Sequence, residues 1–298
     1  MIRGKCSDLE CITAFIAEMN KYAVLFGMDN THFVNPHGLD NKLHYSCAKD
    51  LARLTMYCAS DRRLMEYWGQ TSYSFSVRGP RARSISGFST YKGLAMKTVE
   101  DYYHIIGGKS GTLLDANGRY ENLCLVCESK VDHAWLVGCI MYNTCHPSGN
   151  LQSARGVAFK EMLDWLEDFR KDSTIAEQTV QASYCSAWVM PPCLTCSESS
   201  VYEDADMEMV GKSSLIRAKP ASVTKLMTAK VALDNLSINE SITIKSSDTQ
   251  SGSGDTFYAG DILDVGDAIL AMLLPSSNTL ANAIARVVGE KILKSKKG

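Results

Sequence analysis

Apolar side chains recur with helical spacing over residues 9–26, where Ile12, Phe15, Ile16, Met19, Ala23 and Phe26 fall on one stripe. Ser7 or Asp8 caps the start of this helix and Gly27 ends it. A second helix is predicted over 46–59, with Leu51, Leu54 and Tyr57 or Cys58 turned inward. The period then drops to two. Ser72-Tyr73-Ser74-Phe75-Ser76-Val77 alternates polar and apolar positions and reads as a strand, followed by an Arg78-Gly79-Pro80-Arg81 turn whose basic side chains are solvated. Residues 119–126 and 133–142 form two strands around Ser129-Lys130-Val131-Asp132, an antiparallel hairpin. Val157, Met162, Trp165, Leu166 and Phe169 define an amphipathic helix over 153–169, after which 170–182 is a polar linker. Short strands are predicted at 188–190, 201–202 and 241–245. Further helices run from Pro220 to about 234, over 264–274 up to Pro275, and through Leu280, Ile284, Val287 and Val288, with 294–298 a frayed tail.

Composition narrows the class. The chain has 298 residues, 45% hydrophobic and 21% charged, enough for a large core in one domain or two joined lobes. A net charge of -2 gives no electrostatic case for nucleic acid or an anionic membrane surface. No apolar run approaches the length of a membrane span, and Met1 to Cys6 has basic residues without the apolar stretch of a secretion signal. Eleven cysteines leave at least one unpaired in any disulfide scheme. Cys124 and Cys127 lie in a predicted strand, where residues three apart face opposite ways, so they do not share a metal. Cys193 and Cys196 follow Pro191-Pro192 in a turn that suits zinc or a disulfide, but no second pair completes a metal site. Most of the cysteines read as small buried hydrophobes.

Two loops carry conspicuous polar residues. Gly27 to Asp40 is turn-rich and holds His32 and His37, which, like His44, are expected to bond backbone rather than do chemistry. Gly107-Gly108-Lys109-Ser110-Gly111-Thr112 reads locally as a turn; it is not a phosphate loop, because residue 103 is Tyr where that motif requires Gly. The stretch with the clearest chemistry is Pro220-Ala221-Ser222-Val223-Thr224-Lys225. Proline suits the first turn of a helix, and residues three apart share a helix face, so the Ser222 hydroxyl and the Lys225 amine come within reach of each other. A serine is activated when a neighbouring base takes its proton, and a lysine serves as that base once burial or another cation makes it neutral.

Ser222-x-x-Lys225, Ser276-x-Asn278 and Lys109-Ser110-Gly111 together resemble the motif set of penicillin-binding proteins and serine β-lactamases. The chain is most similar to the serine D-alanyl-D-alanine carboxypeptidases of low molecular mass. Ala221 to Ala229 resembles the nucleophile helix of that family, Tyr258 to Asn278 its second-motif region, and Met19 to Ala23 with Phe33-Val34-Asn35-Pro36-His37-Gly38-Leu39 its helix and loop. The order of the pieces differs: residues 183–298 come first in the family and 1–172 second. That is the arrangement of a circular permutation, with the old ends joined around 170–182. The usual Thr of the third motif is Ser110 here, and the resemblance leads us to expect neither the β-rich C-terminal domain of many relatives nor an amphipathic anchor within these 298 residues.

The resemblance implies an α+β, β-lactamase/transpeptidase-like fold, an antiparallel sheet flanked by helices with a mostly helical second lobe, circularly permuted. It implies one catalytic unit over 1–298, with 1–70 and 247–298 in the helical lobe and 71–246, including the nucleophile helix, in the sheet lobe. Ser222 would be the nucleophile and Lys225 its base, kept neutral by burial and by Lys109. Ser276 would relay the proton to the leaving amine, while Asn278 would hold the substrate amide and Lys225. Backbone N–H groups of Ser222 and Thr112 would form the oxyanion hole. Lys109 and Ser110 would hold the substrate's terminal carboxylate, and Ser110, Gly111 and Thr112 would be the substrate-binding residues. The implied substrate is a peptidoglycan stem peptide ending in D-Ala-D-Ala, with β-lactams acylating the same serine, no cofactor, and a location outside the cytoplasmic membrane. A β-lactamase and a non-catalytic peptidoglycan-binding protein are the alternative readings.

Overall fold

Ser7 opens the first helix with a capping box: its hydroxyl accepts from the Glu10 N–H while the Glu10 carboxylate accepts from the Ser7 N–H. The computed structural model describes residues 6–91, 96–115, 118–144, 151–190, 208–254 and 256–296. In chain order these form α1 (Asp8–Leu25), α2 (Ala48–Ser60), α3 (Arg62–Trp68), the hairpin β1 (Ser72–Val77) and β2 (Arg83–Phe88), α4 (Lys97–Glu100), β3 (Tyr103–Asp115), β4 (Gly118–Ser129), β5 (Trp135–Thr144) and α5 (Leu151–Lys171). After β6 (Tyr184–Val189) and β7 (Val210–Lys212), a 3-10 turn over Ala221–Thr224 leads into α6 (Lys225–Asn235). β8 (Ser241–Thr243), β9 (Ile262–Asp264), α7 (Val265–Leu273) and α8 (Asn278–Ser295) complete the described chain. No described helix is long and apolar enough to cross a membrane.

β3 to β7 make a five-stranded sheet in sequence order, antiparallel throughout. Neighbouring residues of a strand point to opposite faces, and that sets the layers. Gly138 of β5 leaves space that the Met162 methyl of α5 fills. The next residue, Cys139, lies on the other face with Cys124 and Cys47, at the start of α2. The sheet is thus sandwiched between α5 and α2, and both of its faces are dry. The long buried runs of β4 and β5 follow from this double cover.

The lobe boundaries expected from the sequence group 1–70 with 247–298. In the structure α2, from the first of these segments, lies on the sheet. α6, expected with the sheet, lies among α1, α7 and α8. A helix packs where its apolar stripe finds a matching surface, whatever its neighbours in sequence. α1 and α8 approach so closely that a side chain at Gly289 would meet the Cys11 carbonyl at 1.8 Å. The first turn of α1 therefore rests on the last turns of α8. Arg286 of α8 holds the buried Asp248 carboxylate through Nε and Nη2 at 2.8 and 2.7 Å, with the Thr243 carbonyl as a third acceptor.

Several local expectations change. The Gly107 to Thr112 stretch, a turn in isolation, is the middle of β3. Its glycines are there for space, because a side chain at Gly107 would press on Trp68 and one at Gly108 on Leu125. Arg78, read as solvated, pairs with Asp264, and Arg81 lies over the Tyr258 ring. The 170–182 linker is in part helix, since α5 continues to Lys171; beyond it, Lys212 Nζ fixes the Val180 and Ala182 carbonyls. The expected strand at 201–202 and the Cys193-x-x-Cys196 pair lie outside the described residues. Cys124 and Cys127 both lie buried in β4.

Candidate active site

The expected helix at Pro220 begins as a tight 3-10 turn, and Ala221 takes a left-handed φ of 51°. Such a conformation costs a non-glycine residue about 1–3 kcal/mol and persists only where the surroundings impose it. Here two close approaches do so. A side chain at Gly38 would meet the Ala221 carbonyl at 1.9 Å, and one at Gly111 of β3 would lie 3.1 Å from the Ser222 nitrogen. β3 and the 35–40 loop thus press the Ser222 turn from two sides. Gly38 is itself left-handed, with φ 86°. Gly38→Val is expected to destabilise the fold by roughly 3 kcal/mol or more, read as a lower urea midpoint; an unchanged midpoint would contradict this packing.

The 35–40 loop is built to present a carbonyl. Asn35 accepts from Gly38 N–H at 2.6 Å and donates to Leu39 O at 2.9 Å, and Thr228 of α6 donates to Pro36 O at 2.7 Å. His37 Nδ1 accepts from Leu39 N–H, and burial, followed by the nearby Lys225, pushes this imidazole down to about 3, so it stays neutral. His44 accepts from Val34 N–H through Nδ1, which leaves Nε2–H to donate to Thr224 Oγ1. His32 Nδ1 lies 2.7 Å from the Leu43 carbonyl.

Lys225 is fully buried. Its Nζ lies 2.9 Å from Ser222 Oγ, 2.7 Å from Asn278 Oδ1 and 2.9 Å from the His37 carbonyl. Burial, and then the charge of Lys109, holds its pKa well below the usual lysine range. A neutral amine has two N–H donors and one lone pair. His37 O accepts only, and so does Asn278 Oδ1, because Asn278 Nδ2 is committed to Ser251 O at 2.8 Å. The two donors are thereby used, and the lone pair faces the Ser222 hydroxyl.

Lys109 is equally buried and donates to Ser276 Oγ and to Ser110 O, both at 2.9 Å. Burial foremost, and next the Arg155 guanidinium, push its pKa down to about 7. Among the described residues no carboxylate pairs with either lysine. Ser276 is left-handed, φ 73°, on the bend between α7 and α8. On β3 the faces alternate, so Ser110 points away from Lys109 and meets Thr90 Oγ1 at 3.1 Å. Arg155 of α5 donates to the Thr90 carbonyl at 2.6 Å.

Ser222, Lys225 and Asn278 form one bonded group and Lys109 with Ser276 another, the two joined through the bend that carries Ser276 and Asn278, with Ser110, Gly111 and Thr112 on the strand of Lys109. Motif reading missed the His37 and Ser251 carbonyls and Thr90 with Arg155. Backbone acceptors carry no side-chain signature, and Arg155 looks like any charge on an amphipathic helix.

No solved structure matches the chain. One relative is D-alanyl-D-alanine carboxypeptidase DacA of Haemophilus influenzae, 45% identical over 47 residues, which is 16% of this chain and 12% of that protein. The profile of the D-alanyl-D-alanine carboxypeptidase family matches residues 11–141, a span that holds the 35–40 loop and Lys109-Ser110-Gly111 but not Ser222, Ser276 or Asn278. Over residues 11–141, fewer than half of its residues, the chain is similar to the D-alanyl-D-alanine carboxypeptidase family.

Proposed function

We propose that the protein is a serine D-alanyl-D-alanine carboxypeptidase that removes the terminal D-alanine of peptidoglycan stem peptides and is acylated by β-lactams. The observation that carries this reading is the Lys225 amine, whose two donors are occupied by His37 O and Asn278 Oδ1 while its lone pair faces Ser222. Ser222 Oγ attacks the carbonyl carbon of the penultimate D-alanine, and its proton passes to Lys225 Nζ. The oxyanion is held by the N–H groups of Ser222 and Thr112. The C–N bond then breaks as the proton returns through Ser276 to the leaving amine, releasing D-alanine. Water hydrolyses the remaining ester. The positive charge of Lys109 attracts the terminal carboxylate from within the strand, and the Ser110 hydroxyl bonds it. Such a substrate lies outside the cytoplasmic membrane, and the protein would work there.

The same proposal includes a circularly permuted order of the family's segments. Support comes from the contact between the two terminal helices, where Cys11 of α1 lies against Gly289 of α8, and from the bonds that Lys245 and Ser247 make to Asp8 at the start of α1. Permutation is tolerated where chain ends lie together at the surface. It accounts for a family match that covers Lys109 and stops before the nucleophile.

D-alanine release from a pentapeptide ending in D-Ala-D-Ala tests the activity, together with intact mass after exposure to penicillin. Release, and a long-lived adduct mapped to the peptide containing Ser222, are expected. Absence of both removes the reading, and rapid penicillin turnover with a short-lived adduct would replace it with a β-lactamase.

A further inference from the structure

Glu121 of β4 has a fully buried carboxylate, which is costly unless cations compensate it. It lies directly across from Thr112 of β3 and Asn143 of β5, on the face covered by α5. Two guanidinium groups reach it: Arg119 Nη2 at 3.1 Å from Oε1, and Arg155 Nη1 at 3.2 Å from Oε2. The Oε2 approach is an ion pair without an aligned hydrogen bond. Arg155 is buried too, and another of its contacts leads to the reacting strand through the Thr90 carbonyl and the Thr90–Ser110 hydroxyl pair.

Lys109 thus sits in a field made by a few groups. From α5 comes Arg155, from α6 Lys225 and from β4 the Cys124 thiol, while Ser276 and the Ser110 carbonyl bond it directly. No described carboxylate touches Lys109. Glu121 offsets the Arg155 charge from behind the strand.

We propose that Glu121 is a positioning residue: by offsetting the Arg155 charge behind Ser110, it sets how much positive charge Lys109 presents to the substrate carboxylate. Without Glu121, Arg155 would face Lys109 uncompensated and favour its neutral form. Without Arg155, the Glu121 carboxylate would favour the ammonium. The two residues therefore act on Lys109 with opposite signs.

The inference rests on the reading of Lys109 as the carboxylate anchor, so its test uses two independent measurements. The Lys109 side chain is titrated by nitrogen NMR in the full chain, and the pH profile of β-lactam acylation is recorded in parallel. Glu121→Gln is expected to move the Lys109 titration and the alkaline limb of acylation down by about half a pH unit, a roughly threefold loss of rate on that limb. Arg155→Met is expected to move both upward. Titrations that stay within about 0.2 of wild type in both variants, or that move in the same direction, overturn the proposal. If Glu121→Gln does not fold, the sign for Arg155→Met decides alone, with an unchanged or lowered value overturning it. A wild-type protein that takes no β-lactam would sink the proposed function, while the titrations would still judge the role of Glu121.

Discussion

Lys225→Met is expected to slow acylation of Ser222 by about 10²–10⁴-fold while the protein remains folded. Methionine fills the same buried volume without a basic nitrogen, so the Ser222 hydroxyl keeps its place and loses its proton acceptor. The cost of burying an amine between a carbonyl and an amide oxygen also disappears, which offsets the three lost hydrogen bonds. Labelling by a fluorescent penicillin, followed over time against a Ser222→Ala blank, reads the effect. Labelling at the wild-type rate would remove Lys225 as the base. Asn278→Asp supplies a second arm of the same argument. A carboxylate in place of the amide, 2.7 Å from Nζ, favours the ammonium form, so acylation should fall near pH 7 and recover as pH rises.

The second large effect is on stability. Lys109 is fully buried, and its pKa falls from an ordinary 10.5 to about 7 in the folded protein, mainly through burial. Between those values the unfolded chain carries a proton that the folded chain has released. Stability therefore declines as pH drops from about 10.5 to 7, and the full penalty persists at lower pH. The difference corresponds to roughly 5 kcal/mol. Lys109→Met removes that penalty but gives up the bonds to Ser276 and Ser110, so a net gain of about 2–4 kcal/mol is expected near pH 6, vanishing near pH 10. Urea unfolding at the two pH values measures it, and a variant no more stable than wild type near pH 6 would refute it. Binding of substrates that carry a terminal carboxylate should weaken in the same variant. A protein that stores this much unfavourable energy at one site is trading stability for chemistry.

Much of the secondary structure was legible because it depends on local period. The helical stripe from Ile12 to Phe26 and the alternation of Ser72 to Val77 reappear as α1 and β1. α3 escaped notice because seven residues give too few turns for a period to register. β3 was obscured by its own glycines, which signal a turn unless Trp68 and Leu125 are known to press against them. The basic residues of the β1–β2 hairpin read as solvated because their partners, Asp264 and Tyr258, come from about 180 residues away.

The sequence alone determined the residue types of the site and one of its spacings. Ser222 and Lys225 are neighbours on any tight helical turn, and that relation needs no tertiary information. What placed Lys109 against Ser276, Asn278 against Lys225 and the His37 carbonyl at the third corner was the packing of β3, the 35–40 loop and the α7–α8 bend around that turn. The protonation of both lysines was decided at the same level. Whether an amine is an ammonium or a base depends on how much water and which charges surround it, and these follow from burial rather than from its neighbours along the chain.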